Sequence, residues 1–227
     1  MAQTKRSRGR CAYCGLDYTR AGMTKHLKTC PERADVIAVA DGGGGAPEPL
    51  LHLLVRDRWT GEFWLHLEMA GSAPLKELDR YLRAIWLECC GHLSRFDFDW
   101  WAGEEIPMRT RASSVFEPDV ELKHVYDFGT SSETVVEVVG EREGRPVTRH
   151  PITLMARNEP PEVACQTCDQ PAAWLCMECV YEHDRTGTLC EQHAEKHPHD
   201  DYGGLIPLVN SPRVGMCGYD GPAEPPY

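Results

Sequence analysis

Between Leu50 and Val55 the chain is apolar apart from His52, and Phe63, Leu65, Leu67 and Met69 then alternate with Glu62, Trp64, His66 and Glu68. An apolar run followed by period-two alternation predicts two strands, joined by a turn over Arg56 to Gly61. Gly71-Ser72-Ala73-Pro74 offers a cap and an early-helix proline, and Leu75, Leu78, Leu82, Ile85, Cys89 and Leu93 recur at helical spacing. This predicts one long amphipathic helix ending near Gly91. Further strands are expected around Lys123 to Asp127, Thr134 to Gly140 and Val147 to Ala156, the last weakened by Pro151. A hairpin turn at Glu141-Arg142-Glu143-Gly144 would join two of them. The expected fold class is α+β, a mostly antiparallel central sheet carrying one principal helix.

Composition then divides the chain. Pro31-Glu32-Arg33 and the run from Asp41 to Pro49, with four consecutive glycines, predict a flexible linker over 34–49. No Gly-Lys-Ser/Thr follows the glycines, so they do not make a phosphate loop. Arg157-Asn158-Glu159-Pro160-Pro161 breaks the chain again. The expected organisation is a basic module at 1–33, the linker, a core at 50–157, a cysteine-rich module at 158–218 and a flexible tail at 219–227. The start, Met1 to Arg6, lacks the apolar run of a signal peptide, and no stretch approaches the ~18 apolar residues of a membrane span. A cytoplasmic protein is expected, with no membrane partner.

Charge is unevenly spread. Residues 1–33 carry eight Lys and Arg against Asp17 and Glu32, whereas 158–227 carry three against twelve acidic residues, within a chain of net charge −11. Only the head suits a polyanion; the acidic remainder repels one.

Eleven cysteines in a reducing compartment are poor material for disulfides, and most stand two residues from another. Cys11, Cys14, His26 and Cys30 have the spacing of a small finger: a turn supplies two thiolates, and one helix is expected to supply His26 and Cys30 from one face. Tyr18 and Met23 fall where such a finger keeps its two core side chains, and Leu27 sits within the same expected helix. The pattern resembles the C2H2 finger class in its Cys-Cys-His-Cys variant. Arg10, Arg20, Lys25 and Lys28 are its candidate nucleic-acid contacts, extended upstream by Arg6 and Arg8.

The second cysteine-rich segment supplies Cys165, Cys168, Cys176, Cys179, Cys190, His193, His197 and His199, enough for two tetrahedral sites. His183, four residues after Cys179, can replace either final histidine. The order resembles B-box-like cross-braced folds. That resemblance implies one site from Cys165, Cys168, Cys190 and His193 and a second from Cys176, Cys179, His197 and His199. Three structural zinc ions are therefore expected. Cys89, Cys90 and His92, with His66 or His124, offer a further thiol or metal grouping. Cys89 lies on the apolar stripe of the expected helix, which favours core packing; Cys217 reads as a spare ligand or a packed thiol.

Leu75-Lys76-Glu77-Leu78, Ile85-Trp86-Leu87-Glu88-Cys89-Cys90-Gly91-His92-Leu93-Ser94-Arg95-Phe96 and Val125-Tyr126-Asp127-Phe128-Gly129 resemble the Ri-plasmid open-reading-frame-three-like family, whose members carry an insertion-element passenger or resolvase label. Arg157 to Pro161, the paired cysteines and Asn210-Ser211-Pro212-Arg213 resemble its zinc-containing bacterial branch. The resemblance spans about 100 residues and implies an α+β domain without an assigned activity. After Gly129, Thr130-Ser131-Ser132-Glu133-Thr134 replaces the family's Asp-x-Trp-x-His continuation. Recombinase chemistry needs a serine among arginines; Arg109-Thr110-Arg111-Ala112-Ser113-Ser114 comes nearest but lies in a net-acidic domain.

No nucleophile and base can be paired from the sequence, so a non-enzymatic zinc-binding adaptor with a protein partner is expected. The alternatives are a regulator holding DNA or RNA through the basic finger, and a mobile-element-related protein without recombinase chemistry.

Overall fold

The computed structural model describes residues 7–118 and 120–227; Lys5 and Arg6 lie outside them. The chain forms two compact units, one of residues 1–82, 93–159 and Tyr227, the other of residues 83–92 and 160–226.

The first unit is built on an eight-stranded antiparallel sheet. Its strands are β1 (Arg8–Cys11), β2 (Asp17–Thr19), β3 (Glu48–Asp57), β4 (Trp64–Ala70), β5 (Ser94–Asp97), β6 (Glu121–Tyr126), β7 (Ser132–Gly144) and β8 (Ile152–Asn158), in the order β2-β1-β8-β4-β3-β7-β6-β5. The α+β class is as expected. Helices α1 (Arg20–Leu27), α2 (Pro31–Asp41) and α3 (Leu75–Leu82) complete the unit.

Every residue of β4 is buried, although the sequence alternates there. Successive side chains point to opposite faces, so both faces must be covered. Leu65 and Leu67 share a face with Leu53, Val55, Val136, Thr134 and His124 through direct cross-strand pairing. On that face Asp79 of α3 meets His124 Nε2 at 2.9 Å and accepts from Ser94 Oγ at 2.6 Å. Trp64, His66 and Glu68 face the other way. There Trp64 packs with Met23, Leu27, Leu54 and Met155 in one apolar cluster.

The basic head is therefore no separate module. Strand β1 joins β8 with Gly9 opposite Asn158, and α1 contributes Met23 and Leu27 to the cluster on the sheet. Gly9 permits this approach: a Cβ there would stand 2.5 Å from Trp64 Cη2 and closer still to the Arg157 carbonyl oxygen.

The expected linker over 34–49 is also corrected. Pro31 occupies the first turn of α2 and Glu32 adds an acidic residue there, both favourable at a helix start. The run from Ala34 to Ala40, rich in alanine, continues it to Asp41. The glycines at 42–45 end the helix, and β3 has begun by Glu48.

The long helix is corrected as well. Leu75–Leu82 is α-helical, Arg83–Leu87 is a π-helical turn, and residues 88–93 are irregular. Leu93, placed on the apolar stripe by periodicity, is exposed. The expected turn at Glu141–Gly144 is instead the end of β7, whose Glu141, Arg142 and Glu143 pair with Leu51, Leu50 and Pro49. Strand β8 begins just after Pro151, whose missing N–H suits the strand's edge of pairing.

The second unit carries a three-stranded antiparallel sheet of β9 (Trp174–Cys176), β10 (Thr188–Leu189) and β11 (Leu205–Pro207), in the order β10-β9-β11. Two short helices, α4 (Met177–Glu182) and α5 (Glu191–Ala194), follow β9 and β10. Its apolar clusters are small: Leu175, Met177 and Ile206 in one, Cys176, Cys179 and Leu189 in the other. The tail expected to be flexible has Tyr219 and Ala223 buried, and Tyr227 stacks on His150 with ring centroids 3.9 Å apart.

Candidate metal centres

Among the described residues, four Cys/His groups bring their donor atoms within 4.8 Å of one another. A tetrahedral ion with metal–sulfur bonds of about 2.3 Å and metal–nitrogen bonds of about 2.0 Å has edges of about 3.5 to 3.8 Å between donors. That is the yardstick for each group.

The first group is Cys11, Cys14, His26 and Cys30. Cys11 ends β1 and Cys14 lies in the following turn, closed by Gly15 donating to the Cys11 carbonyl at 2.9 Å. Gly15 has φ 72°, the left-handed conformation that glycine adopts without a steric penalty. Thr19 caps α1, its hydroxyl accepting from Gly22 N–H at 3.2 Å. His26 Nε2 reaches Cys14 Sγ at 3.2 Å, and Tyr18 stacks on the imidazole at 4.2 Å. His26 and Cys30 do not share a helix: α1 ends at Leu27 and Cys30 is the residue capping α2. A chain reversal thus delivers the fourth thiol. Burial pushes the Cys30 thiol up to about 12 and raises Cys11 as well. A bound cation would have to displace these protons, which makes its affinity fall with acidity.

The second group is Cys165, Cys168, Cys190 and His193, and the third is Cys176, Cys179, His197 and His199. In the second, His193 Nδ1 stands 3.5 Å from Cys165 Sγ, 3.5 Å from Cys168 Sγ and 3.2 Å from Cys190 Sγ, with Cys168 and Cys190 3.8 Å apart. In the third, His199 Nδ1 lies 3.7 Å from Cys176 Sγ and 3.3 Å from Cys179 Sγ, and His197 Nε2 lies 3.4 Å from Cys179 Sγ. These are tetrahedral edges.

The local chain explains the placement. Cys176 ends β9 and caps α4, its sulfur accepting from Cys179 N–H at 3.4 Å; Cys190 precedes α5, which carries His193. Burial opposes ionisation of Cys165, but backbone N–H groups of Cys190, Thr167 and Cys168 outweigh it and bring the thiol down to about 6. Thr167 N–H donates to Cys165 Sγ at 3.5 Å.

His183 stacks on His199 at 4.7 Å, with Glu178 Oε1 3.8 Å from its Nε2. Together Glu178, His183 and His199 form a lesser grouping beside the third tetrahedron. Glu178 Oε1 is also 3.7 Å from His199 Nε2, the nitrogen not turned to the thiols. Sequence reasoning missed this carboxylate; its place in the first turn of α4, five residues before His183, would have been the signal.

The fourth group is Cys89, Cys90, His92 and Cys217. His66 and His124 take no part: His66 Nδ1 faces His52 Nε2 at 2.8 Å, and His124 faces Asp79. Cys89 is accordingly not a residue of the helix stripe.

Of the candidate nucleic-acid contacts, Arg10 lies 3.2 Å from Asp17 and 3.5 Å from Glu159, and Arg20 donates to the Gly61 carbonyl at 2.9 Å. Lys25 and Lys28 on and just beyond α1 are exposed. Two of the four cations are thus already engaged.

No family model matches the chain. No curated protein matches it either. Among solved structures, the chain is similar to a protein of unknown function from Methanosarcina mazei Go1, at 16% identity and a TM-score of 0.40, over 48% of this chain and 69% of that one. Among the described residues no helix is long and apolar enough to cross a membrane.

Proposed function

We propose that this chain is a non-enzymatic zinc protein that acts by binding a protein partner. The observation that carries the reading is the gathering of Cys11/Cys14/His26/Cys30, Cys165/Cys168/Cys190/His193 and Cys176/Cys179/His197/His199, each with four protein donors within 4.8 Å of one another. Mixed thiolate and imidazole donors select zinc, and a catalytic zinc would leave a position for water. These three ions are structural in this reading.

The acidic balance of 158–227 favours a partner with a basic surface over a phosphate backbone. Cobalt-substituted protein tests the closed sites. Its tetrahedral absorption should not move when azide or a small thiol is added, and a shift would reveal an open coordination position. The immobilised zinc-loaded chain should capture a partner whose release depends on salt, and Cys176→Ser/Cys179→Ser should lose that capture.

Exposed Lys25 and Lys28 favour the second reading, a regulator that holds nucleic acid through the finger. It predicts binding of labelled duplex DNA or single-stranded RNA that weakens sharply between about 50 and about 200 mM salt and is lost in Lys25→Glu/Lys28→Glu. The adaptor reading predicts a flat titration.

We also infer kinship with the Ri-plasmid open-reading-frame-three-like family. What supports it, beyond the motifs, is their physical interdependence. Ser211 of Asn210-Ser211-Pro212-Arg213 donates to the carbonyl of Trp86, within the Ile85–Phe96 motif, at 2.6 Å.

A further inference from the structure

Cys89, Cys90, His92 and Cys217 stand apart from the three groups above, and their donor atoms likewise lie within 4.8 Å of one another. Cys90 Sγ lies 3.6 Å from Cys89 Sγ, 3.7 Å from Cys217 Sγ and 2.9 Å from His92 Nε2, and Cys217 Sγ lies 3.5 Å from that nitrogen. A disulfide would need sulfurs at about 2.05 Å, so the three thiols are spaced as ligands and not as a bridge.

The chain is shaped to hold them there. Gly91 takes φ 78° directly after Cys90, turning the chain so that His92 returns to the thiols. Glu88 Oε1 accepts from Gly91 N–H at 2.5 Å, while Arg83 binds Glu88 at 2.7 Å and the His92 carbonyl at 2.7 Å. On the other side Cys217 has φ 51°, in the left-handed region that a residue with a side chain rarely enters, between Gly215 at 80° and Gly218 at 68°. Strain of this kind persists where surrounding structure demands it.

The neighbouring charge suits an ion here. Arg213 is fully buried, and its Nη2 lies 3.4 Å from Cys89 Sγ. One divalent ion held by three thiolates and a neutral imidazole carries a net charge of about −1, which this guanidinium would balance.

We propose that Cys89, Cys90, His92 and Cys217 form a fourth zinc site, and that it is the exchangeable one. Three sulfurs and one nitrogen in a tetrahedron suit zinc. In each of the other groups at least two cysteines are buried, whereas Cys90 and Cys217 are exposed and Cys89 is half-buried. Chelators and competing thiols can reach this ion directly. Cys90 and Cys217 are 127 residues apart, so the ion would fasten the 83–92 segment to the 160–226 part of the same unit.

Native mass spectrometry of the zinc-loaded full chain tests the site. Cys90→Ser/Cys217→Ser should carry one zinc fewer than the parent, whatever the parent's total; an unchanged count overturns the proposal. That comparison is independent of the other three sites, whose failure would instead lower the parent's count. Should the variant fold poorly, mass-mapped alkylation of the parent decides. Cys90 and Cys217, although exposed, should react about ten-fold slower in loaded protein than after brief chelation, and should be freed before Cys176 and Cys179. Immediate alkylation in loaded protein, or recovery of a Cys90–Cys217 disulfide, overturns the proposal.

Discussion

Arg33 Nη2 donates to Glu68 Oε2 at 3.0 Å, and its other nitrogen, Nη1, donates to the Leu27 carbonyl at the end of α1 at 2.9 Å. One guanidinium therefore ties the finger helix to the central strand β4. Glu68 is buried and also receives Arg142, with bonds of 2.9 and 2.8 Å. It is the shared anion for two nearly buried cations.

Removal of that anion leaves Arg33 without its carboxylate and Arg142 with only the more distant Asp41, at 3.9 Å. Glu68→Ala should destabilise the first unit by about 3 kcal/mol, with Glu68→Gln intermediate. Urea denaturation followed by tryptophan fluorescence would check it, because Trp64 lies under the finger. A loss below about 0.5 kcal/mol would show that the arginines find water instead.

A methyl group at Gly9 has no room between Trp64 and the Arg157 carbonyl. Gly9→Ala should cost about 2 kcal/mol and separate β1 from β8. Amide exchange at residues 8–11 would rise selectively, while β3 and β4 stay protected.

Burial pushes the His66 imidazole down to about 4 and that of its neighbour His52 to about 2, the latter helped by the nearby His66, Arg33 and Lys28. Both are neutral in the folded protein. Because these values lie below the ordinary 6.5, the unfolded chain binds more protons as the solution is acidified. The stability they secure is complete above pH 6.5 and is lost as pH falls toward about 4 and then about 2. The loss approaches about 1.4 kcal/mol per pH unit for each histidine. With zinc saturating, urea midpoints should fall less steeply between pH ~7 and ~5 in His66→Gln than in the parent. Parallel slopes would refute the assignment.

Zinc removal should act unequally on the two units. Two apolar clusters of the second hold three buried residues each, whereas the first retains the sheet core around β3, β4 and β7. After chelation, limited proteolysis should cut first within 160–226 and leave Leu50–Val55 and Trp64–Ala70 intact. Simultaneous loss of both units would contradict that division.

Periodicity and spacing made much of this legible. Alternation located β4, the apolar run located β3, and closely spaced Cys and His pairs named the members of three Cys/His groups, because strand faces and metal knuckles are local properties of a few residues. The sequence reading failed where distant segments compete for a residue. Glu68 and His66 alternate with apolar residues in sequence, yet both are buried in the fold, Glu68 under Arg33 and Arg142. Ala34 to Ala40 looked like part of a linker until Arg33 and Asp41 found partners on the sheet. Cys89 continued a helical stripe in sequence, but its sulfur lies with Cys90, His92 and a thiol more than a hundred residues away. Local pattern determined which residues can bind metal and which segments can extend; only the tertiary fold decided which faces are covered and which distant thiols come together, because long-range contacts leave no period in the chain.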